Sequence, residues 1–93
     1  MSCVFRFLHI PEEIPTAQYV ANRESHYVPT AYNPSGCAGI YQHMLRYWRG
    51  RALTFLPLWR FPNRATVSAF NAVANVWVTA RMVKASGWGP WTL

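Results

Sequence analysis

The segment NRATVSAFNAVANVWVTARMVK, Asn63–Lys84, decides how the chain is read. Its inner sixteen residues, Ala65 to Ala80, carry no charge. As α-helix they extend roughly 24 Å at about 1.5 Å per residue, whereas a bilayer core of about 30 Å asks for about twenty residues. Arg64 and Arg81 bracket the run and close the deficit if their stems lie along the span and their heads reach the surface. Trp59 and Phe61 stand before it, Trp88 and Trp91 after it, as interfacial anchors do at two membrane faces. These features predict one transmembrane helix over residues 64–86, with Asn63 able to cap it.

Asn71 and Asn75 lie inside that run and need an account. Ser68, Asn71, Asn75 and Thr79 are three or four residues apart and form one stripe on a helix, with Ala65, Ala69 and Ala72 close by. Small and hydrogen-bonding side chains in a stripe are what one membrane helix offers another. An unpaired amide in lipid is costly, so the stripe implies a neighbouring helix. The alternative is an amphipathic helix of a soluble domain, but solvent-facing helix surfaces are normally charged and this one is not.

The bulk composition agrees with heavy burial against lipid or partners. Ninety-three residues make one domain at most, whose own core is expected to be marginal. Charged residues are 13% and aromatics 16%, with five Trp, against about 25% charged in ordinary globular chains. The formal charge is +6, and all three acids (Glu12, Glu13, Glu24) lie before Ser25. From Ser25 onward there are seven basic residues and no carboxylate. Guanidinium groups favour phosphate, of lipid headgroups or of RNA. Arg46, Arg49, Arg51, Arg60 and Arg64 precede the run, against Arg81 and Lys84 after it. The positive-inside rule therefore puts the N-terminal side on the cytoplasmic or matrix side.

Outward from the run, "LPLWRFPNR" breaks the chain at Pro57 and Pro62, giving a linker over 57–63. Before it, Ile40, Tyr41, Met44, Leu45 and Trp48 recur at helical spacing, with Gln42, His43, Arg46, Arg49 and Arg51 on other faces. This predicts an amphipathic helix over 35–56 lying at a membrane interface, or packed by its apolar face on a protein neighbour. Gly36 and Gly39 are read as permitting a tight turn at its start. Residues 1–34, punctuated by Pro11, Pro15, Pro29 and Pro34, read as an extended arm across a partner. A short helix over Thr16–Ser25, capped by Thr16, interrupts it. Residues 87–93 form an aromatic tail. The architecture expected is all-α, with no independent globular core.

Little in the chain carries chemistry. His9, His26 and His43 are scattered without metal-ligand spacing, and Cys37 and His43 would not meet readily on one helix. Cys3 and Cys37 have no CxxC spacing and read as free thiols. No general acid/base pair is available after Glu24, and the glycines match no phosphate-binding loop. A catalytic role, a metal and a small-molecule substrate are not expected. "MSCVFRFLHIPEEI" reads as a poor secretory signal and as no transit peptide, so targeting is expected to be internal. The richest stretch is "RYWRGR", Arg46–Arg51. It suits anionic lipid headgroups such as cardiolipin, RNA through stacking and phosphate contact, or acidic residues of a partner subunit.

The order of these features, over roughly residues 33 to 84, resembles subunit f of the mitochondrial F-type ATP synthase. Pro34, Ser35 and Gly36 stand where that family opens a helix. Arg46, Tyr47 and Trp48 stand at its aromatic and basic patch, and Ala65–Ala80 at its single span. The resemblance implies a non-catalytic accessory subunit of the mitochondrial inner membrane, its N-terminal side in the matrix. It would support assembly, hold lipid and shape the dimer by helix packing, with other membrane subunits and anionic lipids as partners and no cofactor beyond a bound lipid. On this reading Arg46, Arg49, Arg51, Arg60 and Arg64 meet headgroups, and Ser68, Asn71, Asn75 and Thr79 dock a helix. Two rivals stay open: a supernumerary subunit of a respiratory-chain complex, and a small basic mitoribosomal or RNA-associated protein.

Overall fold

Around Asn33 the chain reverses direction instead of entering a helix. In the computed structural model, which describes Leu8 and residues 10–91, the Asn33 side-chain oxygen accepts from the amides of Ser35 (3.0 Å) and Cys37 (3.3 Å). The Gly36 amide bonds back to the Asn33 carbonyl at 3.0 Å, with Gly36 at φ +87°. Asn, Pro, Ser and Gly in succession supply the side-chain acceptor, the fixed φ and the left-handed position a turn needs. The strands it joins are β1 (Tyr32–Asn33) and β2 (Cys37–Ala38), antiparallel with Tyr32 opposite Ala38. A second reversal through Gly39 and Gln42, both at positive φ, leads to β3 (His43–Met44), with Ala38 opposite His43. The Gln42 side-chain amide closes this loop by donating to the carbonyls of Gly39 (2.8 Å) and Ala31 (3.1 Å).

Three α-helices surround this small sheet. Helix α1 (Ile14–Ser25) carries Pro15 in its first turn, where a missing N–H costs nothing. It ends at His26, in the left-handed region at φ 52°. Helix α2 (Leu45–Phe55) leaves β3 directly and stops before Pro57. Helix α3 (Ala72–Ser86) is capped by Asn71, whose side chain accepts from the Ala74 amide at 3.0 Å. Helices α2 and α3 pack on one another. Ala17, Val20 and Ala21 of α1, Trp48 and Ala52 of α2, and nearly all of α3 from Ala74 to Val83 are buried. A 3₁₀ turn at Gly89–Trp91 folds back to close the core with Trp91.

This architecture replaces the all-α reading. No helix among the described residues is long and apolar enough to cross a membrane. Residues 63–71 form turns and loop, not helix, and α3 has 15 residues, about 22 Å of helix. Its asparagine and threonine are satisfied by the chain itself, so the stripe's neighbour is not a second membrane helix. The segment expected as a helix over 35–56 splits into hairpin and α2, because Gly36, Gly39 and Gln42 adopt positive φ. The chain also has the independent core that was not expected: its radius of gyration is 12.0 Å, as a compact chain of this length requires. Residues 11–34 are not an extended arm, since α1 supplies part of that core. That helix starts two residues before the expected Thr16, which does not cap it. Cys3 and His9 lie outside the described residues.

One glycine is indispensable to this arrangement. A β-carbon on Gly39 would collide with the Asn75 side-chain nitrogen and the Ala69 carbonyl, whereas one on Gly36 would meet nothing within 4 Å among the described residues. Both sit at positive φ, so Gly36→Ala is expected to cost about 1–2 kcal/mol for the backbone alone. Gly39→Ala should cost more than about 3 kcal/mol, because it also breaks the Asn75 bonds. Denaturant titration of the two variants measures the contrast, and equal costs would refute the close approach.

Candidate functional site

The polar stripe separates into two roles. Ser68 and Asn71 precede α3 and are exposed. The Ser68 hydroxyl accepts from the Phe70 amide at 3.0 Å, and Asn71 caps. Asn75 and Thr79 are fully buried. The Asn75 carboxamide accepts from the Tyr41 amide (2.9 Å) and donates to the carbonyls of Ala69 (2.9 Å) and Ala38 (3.4 Å). One side chain thus ties α3 to the hairpin and to the loop before the helix. The expected docking role is corrected accordingly: these two residues dock the hairpin of their own chain.

Thr79 extends the network to a residue that sequence reasoning set aside. Its hydroxyl lies 2.7 Å from His43 Nε2 and 2.8 Å from the Asn75 carbonyl. His43 Nδ1 lies 2.9 Å from Arg51 Nη1. A guanidinium only donates, so Nδ1 must accept and the proton sits on Nε2. The chain of donors therefore runs from Arg51 to His43, from His43 to Thr79, and from Thr79 to the Asn75 carbonyl. Burial, then the Arg51 charge, hold the imidazole neutral and lower its pKa to about 3, against the opposing pull of the Asn75 backbone. Trp48 and Trp91 pack edge-on against the ring, with centroids 5.3 and 5.7 Å away. No sequence signal marks His43, because its partner Thr79 is thirty-six residues distant.

Of the five arginines expected at headgroups, two turn inward. Arg51 is half-buried on His43, and Arg64 donates to the Leu56 carbonyl at 2.9 Å. With Arg81, which donates to the Phe55 carbonyl at 3.3 Å, Arg64 neutralises the C-terminal carbonyls of α2, where cations are favoured. Arg46, Arg49 and Arg60 are exposed. The guanidinium of Arg46 lies 4.9 Å and that of Arg51 5.7 Å from the Tyr47 ring centroid, so two cations bracket one phenol. Trp48 points the other way, buried and donating to the Val67 carbonyl at 2.8 Å. Pro34, Ser35 and Gly36 form the hairpin turn, not a helix start.

The four aromatic anchors do not make two belts. Trp59 is 68% exposed and Phe61 buried, both edge-on to Trp77. Trp91 is buried and donates to the Tyr41 carbonyl at 2.9 Å, and Trp88 donates to Glu13 at 2.6 Å. These indoles join distant segments to one another. Chemistry is sparse in this arrangement. Glu13 is taken by Trp88 and Glu24 by Arg23 (3.2 Å), and no group of three metal-ligand side chains gathers among the described residues.

Helix α2 presents one exposed face. At about 100° per residue, Leu45, Arg49 and Leu53 form one row and Arg46, Gly50 and Thr54 the next, all exposed. Just beyond the helix, Leu58, Trp59 and Arg60 repeat the same mixture in the open.

Two sets of variants test the buried half of this description. Asn71→Ala should lose about 1 kcal/mol, the worth of a cap. Asn75→Leu leaves the Tyr41 amide and the Ala69 carbonyl without partners and should lose about 2–6 kcal/mol. Comparable losses at the two positions would contradict the division of roles. For His43, the unfolded ring takes a proton near pH 6.5 while the folded ring refuses it until about 3. Its contribution is therefore complete above about pH 6.5 and is lost as pH falls through that window, at up to about 1.4 kcal/mol per pH unit. His43→Gln keeps a donor and an acceptor without titrating. Its stability relative to the parent chain should vary between pH 6.5 and 3 and be constant above, as urea titrations at several pH values will read.

Compared with known proteins, the chain matches no family model, no curated protein and no solved structure, and the functional reading rests on the geometry above.

Proposed function

We propose that the chain is a non-catalytic accessory module that docks peripherally on an anionic membrane surface through the outer face of α2. The observation that carries this reading is the alternation of Leu45, Arg49 and Leu53 beside Arg46 on an exposed helix face, in a stretch of sequence without a carboxylate. A helix of this kind lies in the headgroup layer with its aliphatic side chains inserted and its cations on phosphates. Leu58, 58% exposed, and Trp59 beside Arg60 offer a second insertion point of the same composition. Exposed leucines favour lipid over RNA, since a leucine gains little against a sugar–phosphate backbone but is removed from water among acyl chains.

The reading keeps the accessory role and the anionic-lipid partner expected from the sequence, and replaces a spanning helix by surface attachment. It assigns no reaction. The buried imidazole of His43 is neutral and bonded at both nitrogens, and two of the three carboxylates are engaged. The module would act by holding lipid and presenting its other faces to membrane subunits.

Sedimentation with vesicles tests the proposal. Binding to phosphatidylcholine vesicles containing cardiolipin is expected, with none to phosphatidylcholine alone and marked weakening in high salt. At about 1 kcal/mol per basic residue near the surface, Arg46→Ala with Arg49→Ala should lower affinity about 30-fold. Equal binding to neutral vesicles, or an unaffected double variant, would overturn it.

A further inference from the structure

Where α2 ends against α3, Leu8, Phe55, Arg81, Lys84 and Ala85 line a hollow of about 310 Å³. That volume lies at the lower end of small-molecule sites, about 300–1,000 Å³. Its wall has two halves of different chemistry. Leu8 is buried and Phe55 is half-buried against the core, with the exposed Ala85 methyl beside them. Arg81 and Lys84 of α3 supply two cations to the same hollow.

Neither cation is paired with an anion among the described residues. Glu24 forms its ion pair with Arg23, Glu13 accepts from Trp88, and Glu12 is exposed without an ion pair. Arg81 is half-buried and donates from one nitrogen to the Phe55 carbonyl at 3.3 Å. The rest of its guanidinium fork is unengaged among the described residues. The end of α3 favours a cation in its last turn, which accounts for Lys84 in the sequence but gives its ammonium no bonding partner there. A hollow that is apolar on one side and doubly cationic on the other is complementary to an anion that carries hydrocarbon.

We infer that this hollow binds a carboxylate with a short hydrocarbon chain, a ligand of the fatty-acid class. The carboxylate oxygens take the free edge of the Arg81 guanidinium, whose planar fork matches them, and the Lys84 ammonium supplies the second charge. The chain lies on Leu8 and Phe55, out of water. An inorganic anion matches only the cationic half of the wall, and an uncharged chain only the apolar half. The site uses neither Arg46 nor Arg49, so it goes beyond the docking face and does not depend on it.

Hexanoate titrated into the full chain should shift the Ala85 methyl and Phe55 ring resonances saturably. Acetate has the charge without the chain and should bind at least about tenfold more weakly, since each buried methylene is worth about fourfold. Hexanol has the chain without the charge and should also lose at least about tenfold, for want of charge-assisted bonds. Lys84 is exposed, so Lys84→Ala should keep the parent melting temperature while weakening hexanoate by up to about fivefold. Lys84→Glu places an anion in the hollow and should abolish binding. Acetate or inorganic phosphate binding as tightly as hexanoate would reveal charge attraction alone, and hexanol doing so would reveal a greasy surface alone; either result overturns the site. So would shifts that never saturate, or hexanoate affinity that survives Lys84→Glu.

Discussion

Asn75 is bonded on every side of its carboxamide, and the fold is arranged so that it can be. Its oxygen takes the Tyr41 amide at the turn of the hairpin, and its nitrogen reaches the carbonyls of Ala69 and Ala38. A fully buried amide must find such partners or cost the domain heavily. Gly39 has no side chain so that the hairpin can come this close. Thr79, one turn further along α3, repeats the device with His43, and through it reaches the half-buried Arg51 of α2. A single polar strip therefore connects the centre of the domain to its exposed cationic face.

The same economy explains how so few charges suffice. Small domains bury a limited fraction of their surface and need other means of cohesion. Here indole N–H groups bridge segments: Trp48 to Val67, Trp91 to Tyr41 and Trp88 to Glu13. Arginines join in, since Arg64 and Arg81 cover the last carbonyls of α2. Large amphipathic side chains thus serve as packing and as hydrogen-bond donors together.

Parts of this were legible in the sequence. The spacing of Asn75 and Thr79 announced a polar strip that needs a neighbour, and the Thr16–Ser25 stretch announced a helix. The identity of the neighbour was not legible, because the hairpin residues that satisfy the strip lie more than thirty positions away. Uncharged residues at Ala65–Ala80 look alike whether lipid or protein covers them. Local signals against one continuous helix were nevertheless present. Asn71 stands before an alanine-rich run, as a cap does, and Asn33-Pro34-Ser35-Gly36 is a turn sequence before it is a helix opening. Arg51 and Arg46 read identically in the sequence; only packing separates the one that turns inward from the one that stays out.

The reach of the Asn75 bonds also governs how the chain acquires its structure. A helix of 15 residues is marginal in isolation, and the partners of its central amide arrive only after the hairpin has formed far upstream. Neither piece gains its stabilising contacts before the other is in position. Assembly is consequently all-or-none, with no stable half: amide protons in α3 should exchange with solvent only through opening of the entire molecule, as do those of the most protected segment in any cooperative unit.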